Sequence, residues 1–535
     1  MKDQNIYAIE LENITKRFGS VVANNNINLN VKQGEILALL GENGSGKTTL
    51  MNMLSGIYKP DSGIIKVNGV PVSIHSPEDS KKYGIGMVHQ HFKLVDVFSA
   101  ADNIWMGTEK TGLILKKDRY KKITEISDKF GFEFNPRKIV SNMSVSEKQT
   151  LEILRVLYYG AKIIILDEPT AVLTVQEIKK LFDVLRRMKE QGHSIIIITH
   201  KLNEVMEISD RVSILRKGEY IDTVNTCETN EQQLTDLMVG RKVNLNINRP
   251  VTEFDKPLLE IRNLTIKNDE GANAIEDVNF YIRGGEILGV AGIAGCGQKE
   301  LCEAIAGLRK IEKGQIMHKG DNIVGLSPNA IIEKGISMSF IPEDRLGMGL
   351  APSLSITDNM ILKTYRENKK SPFVDRNKAR AKAEEIVAKL GIVTPSTETP
   401  VRRLSGGNVQ KVLVGREIDA GPNVIITAYP VRGLDINSSY AIYDILNEQK
   451  KSGVGILFVG EDLDVMLALC DKIMVLCHGK LMGVVHAHKA TKEQLGLMMT
   501  GAEDLSDING KIAGIAKDSC IQDADMNTED GQDEK

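Results

Sequence analysis

Gly41-Glu42-Asn43-Gly44-Ser45-Gly46-Lys47-Thr48 is a complete phosphate-binding loop. It follows the apolar run Ile36–Leu40 and leads into a helix beginning near Gly46, the strand–loop–helix setting that gives such a match its meaning. Glycines let backbone N–H groups turn inward around phosphates, and the helix start adds the positive end of its dipole. Lys47 is placed to reach the β- and γ-phosphates of a nucleotide, the Thr48 hydroxyl to ligate Mg2+, and Thr49 to complete the phosphate-binding set.

Partners follow in the order this chemistry needs. Asp167 ends the apolar strand Ile163–Leu166 and is the expected Mg2+ ligand, through water. Glu168 comes next and is the expected base that polarises the attacking water. Gln90, in Met87-Val88-His89-Gln90-His91-Phe92, supplies an amide that contacts metal and water. His200 closes the run Ile195–Ile198 and is expected to meet the γ-phosphate; alone it would read as a structural strand-end histidine. His89 and His91 flank Gln90, but with no third ligand evident they read as packing residues. Phe18, some twenty residues before the loop, is expected to stack on an adenine ring, with a core aromatic as the competing reading.

The chain repeats itself. Gly34-Glu35-Ile36-Leu37 recurs as Gly285-Glu286-Ile287-Leu288, 251 residues later, again feeding a glycine loop. That second loop, Gly292-Ile293-Ala294-Gly295-Cys296-Gly297-Gln298-Lys299, has glutamine in place of the lysine. Ile426-Thr427-Ala428-Tyr429-Pro430 aligns with Ile165–Pro169 at an offset of 261, putting Ala428 and Tyr429 where the first half has Asp167 and Glu168. By the same offset Glu461 replaces His200. Two tandem nucleotide-binding domains are therefore expected, residues 1–243 and 258–500, joined by a linker over 244–257 and followed by an acidic, disordered tail over 501–535. Short continuous apolar runs suit buried strands of a parallel sheet flanked by helices, and the helical, charged stretch from Ala100 to Gly160 suits an inserted helical subdomain.

Length and composition agree. At 535 residues the chain exceeds one core, and 42% hydrophobic with 26% charged residues is ordinary globular usage. A net charge of −3 gives no electrostatic case for nucleic acid as partner. No stretch approaches the roughly 20 apolar residues that span a bilayer, so membrane association is expected through another polypeptide. Six scattered cysteines without metal spacing fit free thiols in a reducing compartment.

These parts, in this order, resemble the ATP-binding cassette (ABC) superfamily over about residues 5–500. The resemblance is sharpened by Leu404-Ser405-Gly406-Gly407-Asn408, which looks like the family's signature loop. It implies an α/β fold of two cassettes, each with a parallel-sheet ATPase core, an antiparallel β subdomain and a helical insert. It also implies that signature loops work in trans. Site one then combines Lys47, Thr48, Gln90, Asp167, Glu168 and His200 with Ser405, Gly406 and Gly407 of the other half. Site two would pair the loop at 292–299 with Met143-Ser144-Val145-Ser146-Glu147, where Val145 and Ser146 replace the glycines. Only site one is expected to turn over ATP. Two cassettes without spans resemble ATPase subunits of prokaryotic importers for monosaccharides and nucleosides. Val88–Phe92, Gly295–Gln298, Ile341-Pro342-Glu343-Asp344-Arg345 and Pro430-Val431-Arg432-Gly433-Leu434-Asp435 tilt toward the nucleoside branch. The resemblance implies ATP and Mg2+, two integral-membrane permease subunits, an extracytoplasmic binding lipoprotein, and a place on the cytoplasmic face of the membrane. The permease helices would dock near the Gln90 and Glu343 segments. A translation factor acting on ribosomes is the competing class; such proteins usually keep both sites and a long charged arm between the halves.

Overall fold

In the computed structural model the described residues are 7–90, 92–106, 116–170, 173–242, 245–252, 257–293, 295–340, 345–362 and 375–501. The chain divides into two units, Met1–Leu245 and Asn246–Lys535.

In the first unit the continuous apolar runs become five-residue strands with every residue buried: Ile36–Leu40, Ile163–Asp167 and Ser194–Ile198. Such strands need cover on both faces, which helices provide. The six-stranded sheet runs Glu219–Asn225, Arg211–Arg216, Ile36–Leu40, Ser194–Ile198, Ile163–Asp167, Ile85–Val88, all neighbours parallel except the first pair. One consequence decides function. The strands that end at Leu40, Ile198, Asp167 and Val88 lie side by side, so the segments leaving their C-terminal ends converge on one edge, where ligands bind in open parallel sheets. A second sheet, antiparallel and four-stranded, contains Val21–Lys32, Tyr7–Phe18, Ser62–Val67 and Val70–Val72. The helical insert contains Ala100–Trp105, Lys116–Phe130 and Val145–Tyr158 around its own cluster, with Ile104, Trp105, Ile123, Leu151 and Leu154 buried.

The second unit repeats the plan. Its six-stranded sheet runs Ile336–Phe340, Val424–Ala428, Gly455–Val459, Ile287–Gly292, Lys472–Cys477, Lys480–His486, the same order read from the other edge. A four-stranded antiparallel sheet and a helical insert with its own core, including Ile356, Met360, Ile386 and Leu413, complete it.

The expected linker is in part a strap on the second unit. Ile247 packs on that unit's core, Arg249 donates to the Cys470 carbonyl, and Thr252 Oγ1 donates to the Gly285 carbonyl at 2.6 Å. Polar side chains that find backbone partners explain why a stretch without period is ordered there. The expected acidic tail beyond Gly501 lies outside the described residues. Among the described residues no helix is long and apolar enough to cross a membrane.

Candidate functional site

The loop that leaves Leu40 closes onto the helix Lys47–Leu54, with Gly46 as its N-cap in the left-handed region at φ 96°. Only glycine fits there. A Cβ at Gly46 would stand 2.3 Å from the Ala23 carbonyl oxygen and 2.6 Å from Asn24 Nδ2. The antiparallel hairpin thus presses on the loop, and Asn24 Nδ2 donates to the Gly46 carbonyl at 3.2 Å.

Lys47 is buried, its Nζ donating to the carbonyls of Gly41 at 2.6 Å and Glu42 at 3.0 Å. Burial pulls its pKa down, while Glu168, Asp167 and Glu42 oppose that shift. An ammonium pinned to loop carbonyls in a dry site is held ready for anionic oxygens. Asn43, Gly44 and Thr48 are exposed beside it, Ser45 is buried, and Thr49 sits half-buried in the helix's first turn.

Asp167 is buried at the strand end and accepts a hydrogen bond from the Thr48 side chain. Burial, with Glu168 next to it, pushes its pKa up to about 6, against the pull of Lys47 and Thr48. Two adjacent carboxylates facing one partly desolvated lysine leave a local excess of negative charge. A divalent cation would relieve that excess, so the donor set fits Mg2+.

Glu168 is one of few non-glycine residues at positive φ, 48°, and its N–H donates to the Ile198 carbonyl at 2.9 Å. That turn points its carboxylate between two partners. Gln90 Nε2 donates to Oε2 at 2.8 Å, and the Nδ1–H of His200 donates to Oε1 at 3.1 Å. The His200 hydrogen bond holds the Glu168 carboxyl below the usual range despite burial. Glu168 is therefore an oriented carboxylate at neutral pH, as a general base requires.

The segment after Glu168 is braced from below. Thr170 Oγ1 donates to Glu204 Oε2 at 2.6 Å, and Lys201 Nζ reaches the Thr170 carbonyl at 3.3 Å. Ring burial pulls the pKa of His89 down to about 4, which suits the packing role expected of it; His91 lies outside the described residues.

Phe18 is 43% exposed, so the core reading fails. It ends the strand whose hairpin presses on Gly46, and it meets Tyr58 edge-on, ring centroids 5.2 Å apart. Tyr58 was not expected. It lies beyond the helix, with no motif around it; only its exposure beside Phe18 marks it.

In the second unit the helix Gly406–Asp419 starts at Ser405, whose side chain makes no capping bond. Ser405 Oγ accepts from Asn408 Nδ2 at 2.8 Å, which leaves its own O–H free to donate. Ser405 and Gly406 are exposed, and Gly407 is buried against Ser438 and Asp435. The corresponding helix of the first unit, Val145–Tyr158, is closed instead. Ser144 Oγ accepts from the Glu147 N–H, Glu147 Oε2 accepts from the Ser144 N–H at 2.7 Å, and Lys138 pairs with that carboxylate. Such a capping box contributes about 1 kcal/mol to its helix and places a carboxylate where an incoming phosphate would be repelled.

The degenerate half keeps the backbone of the first site and discards its chemistry. Tyr429 has φ 52° and donates its N–H to the Val459 carbonyl at 2.8 Å, as Glu168 does to Ile198. Burial pushes its phenol up to about 12, so it stays neutral. Glu461, at the His200 position, pairs with Arg432 at 3.2 Å.

A sequence profile of the ABC transporter family matches residues 24–171 and again 275–430. The chain is 43% identical to a guanosine import ATP-binding protein of Bacillus subtilis, over 93% of this chain and 98% of that one. It is 41% identical to a nucleoside import ATP-binding protein of Lactococcus lactis subsp. cremoris, over 92% and 98%. It is 37% identical to a glucose import ATP-binding protein of Haloferax volcanii, over 96% and 99%. All three are import proteins, and the ribosomal alternative finds no support among them.

Proposed function

This chain belongs to the ABC transporter family, and on that premise we propose that it is the ATP-hydrolysing subunit of an importer whose cargo is nucleosides. The observation that carries the reading is the first unit's convergence of Lys47, Thr48, Asp167, Glu168, Gln90 and His200 on one sheet edge. Lys47 and the loop amides bind the phosphates, Glu168 takes the proton of an attacking water, and His200 and Gln90 hold Glu168 in line. Thr48 and Asp167 would hold Mg2+, which supplies charge neutralisation at the phosphates. Within its own unit Ser405, at an uncapped helix start beside the exposed Gly406, has the local geometry to donate to a phosphate.

The cargo assignment leans on the guanosine and nucleoside import relatives; the glucose relative supports a sugar as the second reading. The subunit works at the cytoplasmic face of the membrane, beneath two permease subunits fed by an extracytoplasmic binding lipoprotein. Gln90 lies on the edge toward the helical insert, where a permease helix would sense nucleotide state; the Glu343 segment lies outside the described residues. In cells deleted for this subunit, uptake of labelled nucleosides falls while glucose and ribose uptake is unchanged. The reverse pattern assigns the sugar reading.

The raised pKa of Asp167 has a measurable consequence. Without metal its carboxyl holds a proton below about pH 6, and Mg2+ must displace that proton. Apparent Mg2+ affinity, read from titrations of nucleotide binding, is expected to be constant above neutrality and about tenfold weaker at pH 5. Asp167→Asn removes the pH dependence together with most of the affinity.

A further inference from the structure

The segment after the loop helix differs between the halves in a way that site degeneration alone does not require. In the first unit Asn52 accepts the Ile57 N–H at 2.9 Å, and Tyr58 follows. In the second unit Glu303 accepts the Leu308 N–H through its carbonyl at 2.8 Å, and Arg309 follows. The same backbone turn therefore presents Arg309 where the first unit presents Tyr58, and Glu303 where it has Asn52.

Arg309 reaches in both directions. Its Nε donates to Glu303 Oε2 at 2.7 Å, on the helix Gln298–Ile305. Its Nη1 donates to the Lys267 carbonyl and to Asp269 Oδ1, each at 3.0 Å, at the end of the antiparallel hairpin. Arg309 and Glu303 are only 14% and 12% exposed, so this pair is better shielded than an open surface ion pair. Where the first unit offers a pair of rings to a base, the second has a charged brace between hairpin and loop helix.

We propose that the nucleotide pocket of the second unit has become an internal clamp centred on Arg309 and holds no nucleotide, so that the chain binds one ATP and not two. The inference rests on the reading of the first loop as the ATP site. The phosphate end agrees with it. Gln298 is neutral and buried, and donates to the Ile293 carbonyl at 3.3 Å. Lys299 stands at the Thr48 position but is 57% exposed and 3.7 Å from Glu303. Ala428 and Tyr429 remove the metal-binding aspartate and the base, and Glu461, paired with Arg432, stands where the first unit has His200.

The retained glycines do not argue for a ligand. A Cβ at Gly297 would stand 2.3 Å from the Ala274 carbonyl and 2.6 Å from Ile275 Cδ1, so packing alone keeps glycine there. The first unit also ties its hairpin to the loop region, through Asn24 to the Gly46 carbonyl and Lys16 to the Lys59 carbonyl and Asp61. Arg309 adds to the second unit a further charged link at the position where the first unit has Tyr58.

The test uses the full chain carrying Glu168→Gln, which slows turnover, with radiolabelled ATP and Mg2+ in equilibrium dialysis. One ATP per chain, lost when Lys47→Gln is added, supports the clamp. Two per chain, falling to one with Lys47→Gln, overturns the clamp and leaves the first site's assignment standing. One per chain that survives Lys47→Gln places nucleotide in the second unit and overturns both. Hydrogen exchange supplies the structural arm. Arg309→Ala is expected to speed exchange across residues 257–283 on the order of tenfold, and the milder Asp269→Asn, at an 85% exposed position, to speed it by less. Unchanged exchange in both variants removes the clamp.

Discussion

Glu168→Gln lowers steady-state ATP turnover by about 10²- to 10⁴-fold, the usual contribution of a general base, while ATP binding is kept. The geometry separates the two effects. Glutamine fills the same volume, and its amide oxygen still accepts from one of the two donors, Gln90 at 2.8 Å or His200 at 3.1 Å. What disappears is the carboxylate that takes a proton from water. Binding is kept because Lys47 and the loop amides that hold the phosphates are untouched by the substitution, and ATP that is not hydrolysed is not converted to products that leave. The variant should therefore accumulate in a nucleotide-bound form, seen as slow release of labelled ATP after gel filtration. Turnover within tenfold of the unmodified protein would show that another group activates the water.

Much of this site was legible because its residues fall at the ends of apolar runs. Asp167 follows Ile163–Leu166 and His200 closes Ile195–Ile198, and strands that read as continuous apolar segments had to lie together in a parallel sheet. Their ends then had to meet. Features that depend on backbone conformation or on distant contacts were not legible. Nothing in the local sequence tells that Glu168 turns to φ 48°, or that Ala23 and Asn24 press against Gly46 from another sheet. Tyr58 and Arg309 sit outside any motif and acquire meaning only beside Phe18 and Asp269. The closed helix start at Ser144 is a different kind of miss. Ser144-Val145-Ser146-Glu147 has the spacing of a capping box, and the pattern was present to be read as a cap as well as a broken signature.

Lys47→Gln copies into the first loop the residue that stands at 298 in the second, and it is expected to abolish turnover without unfolding the protein. The two loops share their helix entry: Gly46 at φ 96°, ψ 4° and Gly297 at φ 97°, ψ 4°. In the second loop the glutamine is buried and donates to the Ile293 carbonyl, the counterpart of the Glu42 carbonyl that Lys47 now serves. The substitution is therefore one this backbone already accepts. Stability should hold or rise, because burial lowers the Lys47 pKa: the charged side chain costs the folded state, and a neutral amide removes that cost at every pH below the lysine's titration. Function suffers twice. The phosphates lose charge-assisted hydrogen bonds of about 1.5–3 kcal/mol each, enough for a loss of affinity on the order of 10²-fold or more. Asp167 also loses the Lys47 charge that restrains its pKa, so it holds its proton to higher pH and Mg2+ binds less well. Thermal unfolding of the nucleotide-free protein and ATP binding measured side by side should diverge, the first unchanged or improved and the second gone. A variant that loses both together would mean that Lys47 supports the fold of the loop as well as the nucleotide.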